Sequence, residues 1–144
     1  MKLLEKVHSW SRWWVSRGYY YTGTMHRYLG NTHAIRSEYE KAIDDFTHAI
    51  QWDPNYAQVY LDRGILYWRE MDHPRRAIQD LTMALTLDSA LSEVYFNRGI
   101  AYQQLREYDR AVAEFKTYLE VGQHPYWREF AENMIRELSE WLPD

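Results

Sequence analysis

Histidines and carboxylates are the side chains through which this sequence could bind a metal ion. The 144 residues include six histidines, 21 acidic residues and no cysteine. His26 and His33 lie seven residues apart in one predicted helix, about 10 Å from each other, which is too far to share an ion unless another element supplies ligands. The absence of cysteine excludes disulfides and thiolate zinc sites. The sequence therefore predicts no metal site, and each histidine is expected to fill a core or edge position.

Catalytic and cofactor-binding motifs are also missing. The sequence contains no Gly-rich phosphate loop, no paired-histidine zinc helix, no nucleophile elbow and no calcium loop. Acidic clusters such as Asp44 and Asp45 are expected to form solvated helix faces. We therefore predict that the protein is not an enzyme, has no catalytic residues and needs no cofactor.

Charge is distributed unevenly along the chain, whose net charge at pH 7 is −4. Residues 1–22 carry four basic side chains and one acidic side chain, for +3. The remaining 13 basic and 20 acidic side chains give residues 23–144 a charge of −7. Such an acidic surface makes nucleic acid a poor partner.

The N-terminus does not have the pattern of a secretory signal. Glu5, Lys6 and His8 interrupt its apolar residues, and no apolar run in the sequence is long enough to cross a bilayer. With no cysteine in the chain, we predict a cytoplasmic protein, and peripheral contact with a membrane is the alternative.

Two kinds of sequence block recur along the chain. VYLDRGILYW at residues 59–68 returns 35 residues later as VYFNRGIAYQ. AIDDFTHAIQWDP, from Ala42, recurs in similar form as AIQDLTMALTLDS from Ala77 and as AVAEFKTYLEVGQ from Ala111. Apolar residues three and four apart predict helices, and turn signals separate them, including SEYE at 37–40 as a capping box. Each unit is thus predicted to be a helical hairpin. A single hairpin cannot bury both of its apolar faces, so the units must stack.

These blocks resemble the tetratricopeptide repeat, a 34-residue helix-turn-helix unit. Apolar residues at helical spacing outside these blocks predict an aromatic, basic N-terminal helix at 1–22 and a C-terminal capping helix at 126–144. The resemblance implies an all-α, right-handed α-solenoid with repeats at 23–56, 57–91 and 92–125. The residues that carry it are Leu29, Gly30, Tyr39, Ala42, Phe46, Ala49 and Pro54 in the first repeat, Tyr60, Gly64, Tyr67, Ala77, Leu81 and Ala84 in the second, and Tyr95, Gly99, Tyr102, Tyr108, Ala111 and Phe115 in the third.

The resemblance also implies a binding surface, because the concave face of such a solenoid commonly receives a peptide or helix of another protein. The matching positions here are Arg27, Asn31, Leu61, Asp62, Ile65, Trp68, Arg69, Phe96, Asn97, Ile100 and Gln103. We predict an adaptor that binds an apolar or amphipathic segment, with Leu61, Trp68 and Phe96 as anchors. Asp62 and Glu93 would repel a terminal carboxylate such as that of a chaperone tail. The alternative occupants are the protein's own terminus and a second copy.

The N-terminal segment has an apolar stripe of its own. Leu3, Leu4, Val7, Trp10 and Trp14 follow helical spacing, and Trp13 lies beside them. The segment is expected to cap the first repeat, to lie in a membrane interface, or to dock through Trp10, Trp13 and Trp14 into a complex or a second copy. The second and third options make the chain an accessory subunit of a membrane-associated assembly.

Overall fold

A computed structural model of the protein describes residues 2–142, with side chains from residue 10 onward, and all of its regular structure is helical. The helices are α1 (Lys2–His33), α2 (Arg36–Trp52), α3 (Ala57–Arg69), α4 (Pro74–Leu87), α5 (Glu93–Gln104), α6 (Tyr108–Val121) and α7 (Pro125–Ser139). The first six form three antiparallel hairpins, and α7 packs on α6. The predicted all-α solenoid is confirmed.

Each hairpin turns through one residue in the left-handed region. These residues are Ala34, Asp72 and Arg106, with φ of 54°, 55° and 60°. A left-handed residue reverses the chain direction within a few residues, so consecutive helices lie side by side. The SEYE motif does not cap a helix as predicted. Ile35 precedes α2 without a side-chain cap, and Glu38 binds Lys41 instead.

The core is divided into three layers along the solenoid. The first layer lies between α1, α2 and α3 and contains Phe46, Val59 and Leu66. Leu61, Leu81 and Val94 belong to the second layer, between α3, α4 and α5. Phe96, Phe115 and Leu138 belong to the third, between α5, α6 and α7. Because every layer needs three helices, no hairpin buries its apolar residues alone.

A contact between a basic residue and a carboxylate joins the two helices of each hairpin. His26 lies 2.9 Å from Asp45, Arg63 binds Asp80 at 2.8 Å, and Arg98 binds Glu114 at 2.7 Å. The two arginines also donate to a threonine of the preceding hairpin, Thr47 for Arg63 and Thr82 for Arg98. The recurring arginines therefore link neighbouring repeats as well as the helices within a repeat.

The N-terminal helix and the first helix of the first repeat are a single element. The predicted boundary between residues 22 and 23 lies inside α1, which continues to His33. Ser16 donates a 2.9 Å hydrogen bond to the carbonyl of Ala49, and Arg17 pairs with Asp53 at 2.7 Å. Residues well before position 23 thus pack on α2 as part of the first hairpin.

In the first hairpin, the glycine at the close approach of the two helices is Gly23, whereas the resemblance to the repeat had assigned that position to Gly30. A Cβ added to Gly23 would lie 2.8 Å from the Phe46 ring, and one added to Gly64 would lie 3.0 Å from Leu81. Phe46 and Leu81 are equivalent, 35 residues apart, so Gly23 is the counterpart of Gly64. The first repeat therefore starts nearer the N-terminus than predicted.

Candidate functional site

The concave face is formed by α1, α3 and α5, the first helices of the three hairpins. Most of the predicted groove residues lie on it, but two of the three predicted anchors do not reach its surface. Leu61 is 1% exposed and Phe96 is 7% exposed. Phe96 packs against Phe115, stacks on Trp127 at 5.2 Å between ring centroids and meets Phe130 at 5.5 Å. The prediction that Leu61 and Phe96 contact a ligand is therefore wrong, because the neighbouring helices cover both.

The apolar surface that remains is a short strip. Ile65, Trp68 and Ile100 are half-buried, and each rests on a core layer while keeping part of its side chain open. The Trp68 indole donates from Nε1 to Asn97 Oδ1 at 3.2 Å, which fixes the ring between α3 and α5. Ile65, Trp68 and Ile100 are called the groove strip below.

Polar residues on the same face tie adjacent helices together. The Arg27 guanidinium binds Asp62 Oδ1 at 2.7 Å, and the Tyr20 hydroxyl donates to Asp62 Oδ2 at 3.0 Å. Burial, helped by the Asp62 charge, raises the pKa of the Tyr20 hydroxyl above its usual value. Tyr20 and Arg27 thereby compensate the buried Asp62 carboxylate. Tyr20 was not among the predicted groove residues because it precedes residue 23, the predicted start of the first repeat.

A second set of polar contacts lies nearer the hairpin turns. Asn31 Oδ1 accepts from the Tyr39 hydroxyl at 3.2 Å and from Arg69 at 3.4 Å. On the next helix, the Gln104 side chain donates to the carbonyl of Trp68 at 3.2 Å. Asn97 is buried and donates to the carbonyl of Glu93 at 2.8 Å, while Gln103 stays half-exposed. The groove strip is thus bordered by side chains that already hold the repeats in place.

A ligand carboxylate would find no unpaired cation among the predicted groove residues. Arg27 is neutralised by Asp62, and Arg69 binds Glu70 at 2.6 Å. The sequence attributed the mismatch to repulsion by Asp62 and Glu93. The buried ion pair removes the Asp62 charge from the surface, whereas Glu93 stays exposed. The engagement of both arginines is a further reason why a ligand carboxylate would not bind there.

The three N-terminal tryptophans differ in their surroundings. The Arg17 guanidinium lies 4.6 Å from the Trp13 ring centroid and 3.6 Å from that of Tyr56. Trp13 is therefore partly packed on the first hairpin, whereas Trp10 and Trp14 point to solvent. One side of the segment therefore packs within the first hairpin, and the other side stays exposed.

Other kinds of site find no support in the part of the chain that the structure describes. No three His, Asp or Glu residues there come together as metal ligands. His26 binds Asp45, and His33 lies exposed at the end of α1. None of the helices described is long and apolar enough to cross a bilayer.

Comparisons with known proteins agree with this architecture. A TPR repeat model matches residues 30–70, and a tetratricopeptide repeat model matches residues 92–121. No curated protein matches the sequence.

Several solved structures share the fold. The TPR domain of Arabidopsis OM64 is 25% identical, with a TM-score of 0.76 over 88% of this chain and 98% of that one. The second TPR of Spaghetti (RPAP3), bound to the HSP90 peptide SRMEEVD, is 22% identical, with a TM-score of 0.74 over 85% of this chain and 100% of that one. The Sgt2 TPR domain from Aspergillus fumigatus is 22% identical, with a TM-score of 0.67 over 85% of each chain.

Stacked hairpins with shared core layers and a concave face define a helical-repeat solenoid. The spacing of its aromatic and small residues, the two matching family models and the solved domains narrow that class further. Residues 30–70 and 92–121 of the chain are tetratricopeptide repeats.

Proposed function

We propose that this protein is a non-enzymatic adaptor whose concave face binds an amphipathic segment of another protein. The observation that carries the proposal is the groove strip, an apolar surface held open where α3 and α5 meet. The Spaghetti domain, which has the same fold, was solved with a chaperone peptide, which supports protein binding as the general role.

The chemistry of the strip favours one class of ligand. Ile65, Trp68 and Ile100 offer apolar contact in the middle, and Asn31 and Gln103 offer amide groups at the edges. A segment with apolar residues on one side and uncharged polar residues on the other would satisfy both. Arg27 and Arg69 are paired with carboxylates of their own chain, so neither is left to bind the C-terminal carboxylate of a ligand. We therefore expect the ligand to be an internal segment as readily as a C-terminal one.

A selection from a library of random peptides tests the proposal. The selected sequences are expected to share apolar residues at helical spacing of three or four. Their affinity should fall more than tenfold for Ile65→Ser combined with Ile100→Ser, because each interface anchor contributes about 2 kcal/mol. The control is Met83→Ser, an exposed methionine of α4 outside the concave face. Equal binding by both variants would reject the groove.

The alternative function, an accessory subunit of a membrane-associated complex, relies on the N-terminal helix. Basic side chains would have to meet anionic head groups there. Arg17 instead pairs with Asp53 and lies between the Trp13 and Tyr56 rings. This engagement weakens the membrane alternative, and the adaptor is the function we favour.

A further inference from the structure

The outer face of α1 carries an apolar stripe that stays exposed among residues 10–142. The stripe consists of Trp10, Trp14, Gly18, Tyr21, Met25 and Tyr28, spaced four, four, three, four and three residues apart. Its five large side chains are between 58% and 72% exposed. At 1.5 Å per residue the stripe is about 27 Å long. We call it the outer stripe.

The outer stripe is the open end of the solenoid. Since Gly23 corresponds to Gly64, an offset of 64 − 23 = 41 residues, Tyr21, Met25 and Tyr28 correspond to Asp62, Leu66 and Arg69. In the second repeat these residues face the first. Leu66 is buried in the layer with α2, Asp62 binds Arg27, and Arg69 binds Asn31. The outer stripe therefore occupies a surface that repeat stacking covers one unit further along.

No close contact among the described residues requires a glycine at position 18 of the stripe. A Cβ added to Gly18 would meet nothing within 4 Å, whereas one added to Gly23, Gly30 or Gly99 would lie 2.6–2.8 Å from a ring. A glycine inside a helix costs about 1 kcal/mol relative to alanine. No contact among the described residues offsets that cost. The missing side chain leaves a gap between Trp14 and Tyr21, which could receive an aromatic ring of another molecule.

The order of residues along the stripe fits a second copy running antiparallel. A two-fold axis near position 19 or 20 places Trp10 opposite Tyr28, Trp14 opposite Met25, and Gly18 opposite Tyr21. Each large side chain near the axis thus meets a smaller or flexible one. The same surface on both copies is what a closed two-fold dimer requires.

Charge favours contact between two outer stripes over contact of one copy's outer stripe with the C-terminal helix α7 of another copy. The outer stripe has no charged member, and its basic neighbour Arg17 is neutralised by Asp53. The other end of the solenoid, α7, exposes Glu129, Glu132 and Glu137. An apolar stripe would leave those carboxylates desolvated and unpaired, so the C-terminal end is a poor partner for it.

The area is sufficient for a dimer of moderate affinity. A large aromatic side chain buries roughly 150–250 Å² in full, so four rings and a methionine exposed by about two-thirds supply roughly 600 Å² per copy. Two copies would bury about 1,200 Å², the lower limit of specific interfaces. We propose that this protein forms a two-fold homodimer through antiparallel packing of the outer stripes of two α1 helices.

Sedimentation of the full chain tests the dimer. The wild type should be dimeric at micromolar concentration and dissociate on dilution. Tyr21→Glu combined with Met25→Glu should be monomeric with unchanged helical content, because both side chains are exposed in one copy. The control Met83→Glu should remain dimeric. A monomeric wild type at its highest soluble concentration, or a dimer that survives the double substitution, would overturn the proposal.

Cysteine cross-linking tests the direction of packing, since the chain has no cysteine of its own. Near the axis, Gly18→Cys should form a disulfide between copies on oxidation. Tyr28→Cys should not, because its two copies would be about 25 Å apart along the helices. Cross-linking of both variants would mean parallel packing, and cross-linking of Tyr28→Cys alone would place the axis elsewhere on α1. Either result rejects the model of the interface. Flotation of a monomeric wild type with phosphatidylserine vesicles would identify lipid as the occupant and would also overturn the dimer.

Discussion

The recurring ion pair shows how a single methylene group changes one repeat. Arg63 donates from Nε and Nη2 to the two oxygens of Asp80, each at 2.8 Å. At the equivalent place Arg98 binds one oxygen of Glu114, and among the described residues its Nε and the other Glu114 oxygen have no hydrogen-bond partner. With the longer glutamate, the pair therefore makes one of the two hydrogen bonds that Arg63 and Asp80 make.

This incomplete pair predicts a pH dependence of stability. Burial raises the pKa of the Glu114 carboxyl above its usual 4.5, although Arg98 lowers it in part. Between 4.5 and that higher value, the folded chain holds a proton that the unfolded chain has released. The free energy of unfolding should therefore fall as the pH rises through this interval and then level off.

Urea unfolding at a series of pH values, compared with Glu114→Gln, isolates the contribution of this carboxyl. The wild-type free energy of unfolding minus that of the variant should decrease with rising pH. A difference that is constant, or that increases with pH, would contradict the assignment.

At the scale of the helix, two glycines of α1 should respond in opposite ways to the same substitution. Gly23→Ala places a methyl group 2.8 Å from the buried Phe46 ring and 3.2 Å from the carbonyl of Ala42, so α1 and α2 must move apart. Gly18→Ala meets open space and improves helix propensity by about 1 kcal/mol. Thermal unfolding of the two variants at a concentration where the chain is monomeric should show destabilisation by Gly23→Ala and stabilisation by Gly18→Ala. Two changes of the same sign would refute this account.

The helical hairpins and their stacking were predictable because small and aromatic residues recur at one spacing. The start of the first repeat was not. A fixed offset of 34 residues, the length of one repeat, aligns Gly30 with Gly64. However, α1 and α2 extend further toward their shared turn than α3 and α4 do. Gly23 and Gly30 lie seven residues apart, about two helical turns, so they share a face and only the packing distinguishes them.

The groove was predictable in outline because its positions also recur with the repeat. Two of its three predicted anchors, Leu61 and Phe96, are buried for a different reason. Helical position places Leu61 and Phe96 toward the concave side, but burial depends on the next helix. Phe96 is covered by Trp127 and Phe130 of α7, the helix identified in the sequence only as a cap. The helix α7 occupies the position that the first helix of a fourth repeat would have, so it must cover part of α5, including Phe96. The predicted capping helix was therefore the feature of the sequence from which the burial of Phe96 could have been predicted.

At the scale of the whole molecule, the solenoid has two unlike ends. The C-terminal end is closed, since Ala131, Met134 and Leu138 of α7 are buried in the third layer. The N-terminal end leaves the outer stripe open. Solenoid stability is approximately a sum of repeat and interface contributions, so the closed end should contribute to the stability of the repeats behind it.

Two tryptophans of the C-terminal region provide a matched test of that contribution. Trp127→Ala removes the ring stacked on Phe96 and on His124, and should lower the free energy of unfolding by about 2 kcal/mol, less than for a fully buried ring. Trp141 is 73% exposed, so Trp141→Ala should change it by about 0.5 kcal/mol or less.

Denaturant unfolding followed by circular dichroism measures both changes. If the repeats unfold as one unit, Trp127→Ala shifts the midpoint of a single transition. If α7 stabilises only the third layer, the variant instead splits the transition, because the first two layers keep their own helices. Equal losses from Trp127→Ala and Trp141→Ala would mean that the cap contributes through something other than its contact with Phe96.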